Sequence, residues 1–203
     1  MKKKNFLVIG ITGGIGMGKS TAAQAFESLG LPVFDADACV HHLLLDNKTV
    51  MKQIATEFPP CILHGWIDRR ALFAAAFATP KKTKILEGIL HPLVWRARDA
   101  FVRAAKKDKR EGVVLDIPLL FETGADSACD KTLCVYTSAA TQKERVLKRK
   151  NMTATKLRAV RARQWPIAKT RQLADAALDM DVSKKQARQA IEELWKRWSQ
   201  ETK

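Results

Sequence analysis

The apolar residues of the chain fall into short unbroken runs, separated by stretches in which apolar positions recur every three or four residues. The clearest run is residues 6–12, which glycines follow, as expected of a strand that is buried on both faces. The same pattern predicts further strands at residues 32–34, 113–117, 132–136 and 176–178. Strands that alternate with helices predict an α/β fold, with a five-stranded parallel sheet flanked by helices.

Amphipathic stretches predict helices between these strands. Residues 19–29 have one apolar face, and Gly30 follows where a helix commonly ends. Ser183 is placed to cap a final helix that runs to about residue 199 and includes Ile191 and Trp198 in its apolar stripe. Further helices are predicted between the third and fourth strands and at residues 38–45, 49–57, 70–78 and 83–107.

This order of elements indicates one domain with insertions, because 203 residues are too few for two large independent domains. The core is expected to comprise residues 1–36, 111–141 and 166–203. The mainly helical residues 37–110 are expected to form a subdomain over the carboxyl edge of the sheet, the edge at which open α/β sheets bind ligands.

A glycine-rich segment joins the first strand to the first helix and matches the phosphate-loop pattern G-x-x-x-x-G-K-[ST]. Its glycines allow backbone N–H groups to turn towards phosphate oxygens, and the helix N-terminus adds partial positive charge. We expect Lys19 to reach the β- and γ-phosphates of ATP and the Ser20 hydroxyl to ligate Mg²⁺. The residues expected to contact the nucleotide are Gly13, Gly14, Ile15, Gly16, Met17, Gly18, Lys19, Ser20 and Thr21.

Acidic residues follow two of the predicted strands. Asp35 and Asp37 come after the second strand, and phosphoryl transfer to a hydroxyl needs a group that orients the nucleophile and accepts its proton. Asp37 is the preferred general base and Asp35 a group that binds or orients the acceptor, unless one of the two caps the next helix. Asp116 stands where a Walker-B aspartate supports Mg²⁺. The apolar stretch that follows, including Leu120, either lines a pocket or belongs to the core.

The net charge of +15 has two possible explanations, a nucleic-acid-binding surface or a site for small polyanions with surplus surface lysines. Residues 143–171 alone contain eleven Lys and Arg residues and one acid, Glu144. The chain has one tyrosine, and no basic stretch carries interleaved aromatic residues that would stack on bases. We therefore favour small anionic ligands and expect no nucleic-acid partner.

The cysteines and the N-terminal residues indicate a cellular location. Cys39, Cys61, Cys129 and Cys134 have no spacing typical of a zinc site and are expected to be reduced thiols. The first apolar run is too short to span a bilayer and leads into the phosphate loop rather than a cleavage site. We expect an intracellular, cytoplasmic protein with no membrane segment and no obligate protein partner.

An ordered set of motifs extends beyond the phosphate loop through nearly the whole chain. The set comprises Asp35-Ala36-Asp37, Gly65-Trp66-Ile67-Asp68-Arg69, Leu86-Glu87, Leu90-His91-Pro92, Asp116-Ile117-Pro118-Leu119-Leu120-Phe121-Glu122, Arg145 with Arg149, Gln164, and Ala174-Asp175. In this order the motifs resemble the dephospho-coenzyme A kinase family. The resemblance implies a P-loop kinase fold and an enzyme that uses Mg-ATP to phosphorylate the ribose 3′-hydroxyl of dephospho-CoA, giving coenzyme A and ADP as the last step of its biosynthesis.

The same resemblance implies roles for individual residues. It makes Asp37 the general base, and it assigns acceptor-side roles to Arg69, His91, Pro92 and the segment from Asp116 to Glu122, which includes Leu120. It also implies that residues 142–165 form a helical lid over ATP. From that lid, Arg145, Arg149 and Arg163 would neutralise charge on the transferring phosphoryl group.

The chain departs from the family pattern at three places. Met17 replaces a small polar residue of the loop, Lys169 stands one position earlier than the usual lysine, and Met180-Asp181-Val182 replaces the Asn and Gly expected near the adenine. Two other functions share the phosphate loop: another small-molecule kinase, of nucleoside or shikimate type, and a nucleic-acid-associated NTPase. The first does not explain the motifs that follow the loop, and the second lacks the aromatic residues that would stack on bases.

Overall fold

The computed structural model describes residues 6–150, 152–162 and 164–201. The chain divides into two compact units, the first made of Met1–Phe34 with Val102–Lys203 and the second of Asp35–Phe101. The strands of the described residues are β1 (Leu7–Thr12), β2 (Val33–Asp35), β3 (Ile62–Leu63), β4 (Trp66–Ile67), β5 (Gly112–Asp116), β6 (Lys131–Tyr136) and β7 (Ala176–Asp179).

Helices make up most of the rest of the described chain. They are α1 (Lys19–Ser28), α2 (Ala36–Asp46), α3 (Lys48–Glu57), α4 (Arg69–Ala76), α5 (Pro80–Lys107), α6 (Ala139–Leu147), α7 (Ala154–Arg161), α8 (Ile167–Leu173) and α9 (Lys184–Gln200). The helix expected between the third and fourth strands of the sheet is absent from the described residues. Turns and a short 3₁₀ helix, Ala125–Ala128, occupy that connection instead.

Within the described residues, five strands form one sheet in the order β2-β5-β1-β6-β7. The pairs β1–β5, β1–β6 and β6–β7 are parallel, and the predicted five-stranded parallel sheet flanked by helices is confirmed. Parallel strands end at the same edge of a sheet, so the residues that follow β1, β5 and β6 are brought close together. The site of the first unit is built at that edge.

The core of the first unit lies between the sheet and the helices α1 and α9. Ile9 and Leu133 of the sheet, Phe26 of α1, and Ile191 and Trp198 of α9 are all buried in one cluster. Each such side chain contributes about 1.5–3 kcal/mol when it is fully removed from water. The apolar stripe predicted for the final helix is therefore the face that packs, and Ser183 caps that helix as expected, with Gln186 completing a capping box.

The second unit is helical, with a core that includes Val50, Ile54, Leu72 and Leu86. It also contains an antiparallel hairpin, β3–β4, that the sequence pattern did not predict. Each strand of this hairpin has only two residues, which is too short for an alternating pattern to be recognised.

Candidate active site

The glycine-rich loop joins β1 to α1 as the phosphate-loop pattern requires. Gly16 and Gly18 have φ angles of 76° and 93°, a left-handed backbone that other residues adopt only with strain. A Cβ on Gly13 would lie 2.5 Å from the Val135 carbonyl oxygen, and one on Gly18 would lie 3.0 Å from Met180 Cβ. The glycines therefore serve both the curvature of the loop and its close packing on β6 and on the residues after β7.

Lys19 and Asp116 are brought together at the carboxyl edge of the sheet. Lys19 is the first residue of α1 and Asp116 is the last residue of β5, and the Lys19 ammonium forms an ion pair with the Asp116 carboxylate. The register of β1 and β5, in which Ile11 pairs with Asp116, produces this contact between residues distant in sequence. Ser20 follows in the first turn of α1 with an exposed side chain, and Thr21 beside it is partly buried.

Arg145 and the residues after β7 meet the end of the phosphate loop. The Arg145 guanidinium donates a hydrogen bond of 2.8 Å to the Met180 carbonyl, and the Met180 side chain packs against Gly18. The Asp181 carboxylate accepts from the Thr137 hydroxyl and, at 2.8 Å, from the Ser138 backbone N–H. These hydrogen bonds hold the pKa of Asp181 well below its usual range.

The resemblance assigned lid roles to Arg149 and Arg163 as well. Arg149 is exposed just beyond the end of α6. Arg163 lies outside the described residues.

A cavity of about 360 Å³ lies beside the phosphate loop within the first unit. Gly13 and Gly14 form part of its wall, and Glu122, Arg161 and Trp165 line it as well. Glu122 accepts a hydrogen bond of 2.8 Å from the Trp165 backbone N–H, which fixes one end of the wall. The cavity thus combines backbone groups of the loop with one cation and one anion.

Two glutamines hold the backbone of Ile15 within the phosphate loop. Gln142 Nε2 donates to the Ile15 carbonyl at 2.7 Å, and the Ile15 N–H donates to Gln164 Oε1 at 3.3 Å. The amide oxygen of Gln142 also accepts from the guanidinium of Arg161. The sequence indicated Gln164 as part of a motif but missed Gln142 and Arg161, because a glutamine and an arginine in a basic stretch carry no pattern of their own.

Asp35, the last residue of β2, and Asp37, which follows it, belong to the second unit. Asp35 is the N-cap of α2, and its carboxylate accepts from the Ala38 backbone N–H at 2.9 Å. The capping alternative left open by the sequence therefore applies to Asp35. Asp37 lies in the first turn of the same helix and is exposed to solvent.

The candidate acceptor-side residues have different environments. Arg69, the first residue of α4, lies with its Nη1 3.1 Å from the ring nitrogen Nε2 of His41. His91 and Pro92 lie inside α5, where the His91 ring packs 5.4 Å from the Trp95 ring. These residues are all in the second unit. Leu120 is in the first unit and is fully buried beside Gly10 in the core.

The cysteines of the described residues are free thiols. Burial is the main cause that raises the pKa of the Cys134 thiol to about 12, so this group stays protonated and unreactive near neutral pH. No group of three or more His, Cys, Asp or Glu side chains suited to a metal occurs within the described ranges. None of the described helices has both the length and the apolar character needed to cross a membrane.

Comparison with known proteins gives consistent results over nearly the whole chain. The family model described as dephospho-CoA kinase matches residues 7–186. A dephospho-CoA kinase from Nitrobacter winogradskyi is 42% identical over 188 residues, which cover 93% of this chain and 94% of the relative. A crystal structure from Thermus thermophilus matches with a TM-score of 0.83 and 31% identity, covering 96% of this chain and 98% of that one.

More distant structures support the fold. A dephospho-CoA kinase from Campylobacter jejuni has a TM-score of 0.67 and 26% identity, covering 95% of this chain and 96% of its own. A shikimate kinase from Bacteroides thetaiotaomicron has a TM-score of 0.53 at 14% identity and covers 94% of this chain and 98% of its own, a likeness of fold alone.

Proposed function

Because the chain belongs to the dephospho-CoA kinase family, we propose that it transfers the γ-phosphoryl group of ATP to the ribose 3′-hydroxyl of dephospho-CoA. The coarser activity follows from the family directly: the protein is a kinase that uses ATP and phosphorylates dephospho-CoA in coenzyme A biosynthesis. The observation that carries the finer proposal is the glycine loop whose Lys19 pairs with Asp116 at the carboxyl edge of the sheet.

The proposed reaction is a single displacement at phosphorus. The ribose 3′-oxygen forms a bond to the γ-phosphorus while the bond from that phosphorus to the β,γ-bridging oxygen breaks, and ADP leaves with the electron pair. Asp37 accepts the hydroxyl proton as general base. Asp35 contributes by binding or orienting the acceptor, and its capping bond to Ala38 also fixes the turn of α2 that carries Asp37.

The phosphate loop supplies the positive charge of the reaction. Residues 13–21 direct backbone N–H groups and the start of α1 towards the triphosphate, and Lys19 compensates charge on the β- and γ-phosphate oxygens. Asp116 orients the Lys19 ammonium through their ion pair. This pairing keeps the Lys19 ammonium at the end of β5 rather than in solvent.

Oxygen donors suited to Mg²⁺ are available next to Lys19. The Ser20 hydroxyl is exposed in the first turn of α1, and the Asp116 carboxylate lies at the end of β5. This fits an ion that proteins usually hold through one or two oxygen ligands, together with substrate phosphates and water. When bound, Mg²⁺ neutralises charge on the β- and γ-phosphates.

The acceptor side of the proposal rests on the family motifs. Arg69 provides a planar cation that matches a phosphate group of dephospho-CoA, and His91 and Pro92 shape the helical acceptor region, residues 37–110. Leu120 is fully buried in the core. Its packing holds in place the segment that follows β5, to which it belongs. The core of the kinase is residues 1–36, 111–141 and 166–203.

Residues 142–165 act as a lid that closes over ATP and limits its hydrolysis by excluding water. Arg145 and Arg149 neutralise charge on the phosphoryl group from this lid. Arg145 uses one donor on Met180 and keeps others for phosphate, because a guanidinium has five N–H groups. The enzyme works in the cytoplasm in this proposal, where its free cysteines stay reduced.

The test is an acceptor-specificity assay of the purified protein with Mg-ATP. ADP formation is measured in parallel reactions that contain dephospho-CoA, a nucleoside, shikimate or duplex DNA, and the phosphorylated product is identified by mass spectrometry. We expect ADP to form at a substantial rate with dephospho-CoA alone. The 3′ position is checked by NMR of the product, which distinguishes a 3′-phosphate from a 2′-phosphate.

Two outcomes would contradict the proposal. Faster turnover with shikimate or a nucleoside would make the protein a different small-molecule kinase. ADP formation that depends on DNA would favour a nucleic-acid-associated NTPase.

A further inference from the structure

Gln142 is a buried glutamine, 1% exposed, within α6. Its Nε2 donates to the Ile15 carbonyl at 2.7 Å, and its Oε1 accepts from Arg161 Nε at 2.9 Å and from Arg161 Nη2. Arg161 is the last residue of α7. One side chain therefore connects the phosphate loop, α6 and α7.

These contacts use the two ends of the amide according to their polarity. The oxygen faces a cation and the NH₂ group faces a carbonyl oxygen, so turning the amide over would oppose two donors at one end and two acceptors at the other. A glutamate of the same shape would repel the Ile15 carbonyl and neutralise the charge of Arg161. A methionine of similar size would lose both contacts. Position 142 is thus chemically suited to glutamine.

Arg161 lines the cavity whose wall includes Gly13 and Gly14 of the phosphate loop. Gln142 engages the Nε and Nη2 groups of the guanidinium, which account for two of its five N–H donors. The remaining donors belong to a planar fork that matches phosphate oxygens in pairs. Because the guanidinium is already held in one orientation, it loses little conformational freedom when it binds a phosphate.

We propose that Gln142 is a positioning residue, which holds the Arg161 guanidinium so that its remaining donors contact the transferring phosphoryl group. This inference rests on the proposed function and deepens it. Arg145 is anchored differently, on the Met180 carbonyl. The two arginines therefore respond to different substitutions, because only Arg161 depends on the amide of Gln142.

The first experiment compares Arg161→Met with Arg158→Met in the dephospho-CoA assay. Each variant removes one positive charge from α7. A general effect of lowering the charge of the basic stretch would therefore appear equally in both variants. We expect kcat of Arg161→Met to fall about 100-fold, as for loss of a transition-state donor, with the KM for ATP changed by less than about threefold. Arg158→Met should stay close to wild type. Equal behaviour of the two variants would overturn the proposal.

The second experiment examines whether Gln142 acts through Arg161. We expect Gln142→Met to lower kcat about tenfold, and to cause no further loss when Arg161→Met is already present, because residues that act as a unit are non-additive. A glutamine with a merely structural role would give independent losses in the double variant. Gln142→Glu is the second variant if Gln142→Met fails to fold, and a wild-type kcat for Gln142→Glu would also contradict the proposal.

Wild-type turnover in the same preparations separates this inference from the function on which it rests. If the wild-type protein forms no ADP that depends on dephospho-CoA, the proposed function fails. If the wild type is active and Arg161→Met matches Arg158→Met, the function stands and the role of Gln142 and Arg161 is rejected.

Discussion

Several polar side chains of the first unit form an ion pair or a hydrogen bond with a residue that is distant in sequence. The Lys19 ammonium meets the Asp116 carboxylate, and the Arg145 guanidinium meets the Met180 carbonyl. Sequence patterns predicted the functional importance of Lys19 and Asp116 separately, because each follows a buried strand. They could not predict that Arg161 is held at the cavity beside the phosphate loop, since that depends on its contact with the buried Gln142.

The first prediction concerns the phosphate-loop lysine. Lys19→Ala removes the cation that compensates the β- and γ-phosphates, so we expect kcat to fall by about 10²–10³-fold. Because the substitution also leaves the largely buried Asp116 carboxylate without its cation, thermal unfolding must be measured beside turnover. The double variant Lys19→Ala/Asp116→Asn also removes the charge of that carboxylate. If either variant keeps near-normal kcat, the assignment of the loop is wrong.

The second prediction concerns the general base. Asp37→Asn keeps the shape of the side chain but cannot accept the hydroxyl proton, so we expect kcat to fall about 10²–10⁴-fold while the KM for ATP changes little. Steady-state kinetics with dephospho-CoA measures both constants. Asp35→Asn is the comparison, because asparagine also caps helices and should preserve α2. An unchanged kcat for Asp37→Asn would remove this residue from the base role.

Among the elements, those with a strong local pattern were predicted well and those without one were not. The strands of the sheet begin and end within one residue of their predicted bounds, since buried parallel strands are continuous apolar runs. The hairpin β3–β4 was missed because its strands are so short. The helix predicted after β5 was wrong, because the apolar residues there are buried by turns around Leu120 rather than by a helical face.

The loop after β7 supports a third prediction, about pH. Hydrogen bonds from Thr137 and Ser138 lower the pKa of Asp181 from its ordinary value of 3.8 in the folded protein. A lowered folded pKa means that this carboxylate stabilises the fold above about pH 4, and that the stabilisation is lost as the pH falls through the folded pKa. We expect wild type to unfold at a higher temperature than Asp181→Asn at pH 7, with a difference that shrinks below about pH 4.

Thermal unfolding of both proteins between pH 3 and pH 7 measures this difference. Asp108→Asn removes the same charge from another exposed part of the first unit and serves as the control. A difference between wild type and Asp181→Asn that is independent of pH would mean that the carboxylate's charge does not stabilise the junction of β6 and α6.

The whole molecule carries a net charge of +15, with its densest basic stretch at residues 143–171. Within the described part of that stretch, Lys148, Arg149, Lys150 and Arg161 are exposed, although Lys148 pairs with Glu144 and Arg161 with Gln142. Such exposed cations bind polyanions without specificity, and the binding weakens steeply with salt. The charge of the molecule is therefore compatible with a small-molecule kinase.

The fourth prediction tests this account of the charge. We expect duplex DNA to leave ADP formation with dephospho-CoA unchanged at about 200 mM salt, because DNA held only by exposed cations is released at that ionic strength. The assay compares initial rates with and without DNA at low and high salt. DNA-stimulated turnover that persists at the higher salt concentration would contradict the prediction and favour a nucleic-acid-associated function.

The anchoring of Ile15 by Gln142 and Gln164 has a consequence for how this protein tolerates changes in length. The chain between the two glutamines, which includes part of α6 and all of α7, forms a closed loop in the topological sense, because both of its ends are hydrogen-bonded to Ile15. The entropy of closing such a loop grows only with the logarithm of its length, by about 0.6 kcal/mol for each doubling. A peptide inserted between α6 and α7 should therefore leave the pinned ends in place, which makes that connection a suitable position for a fluorescent reporter of nucleotide binding.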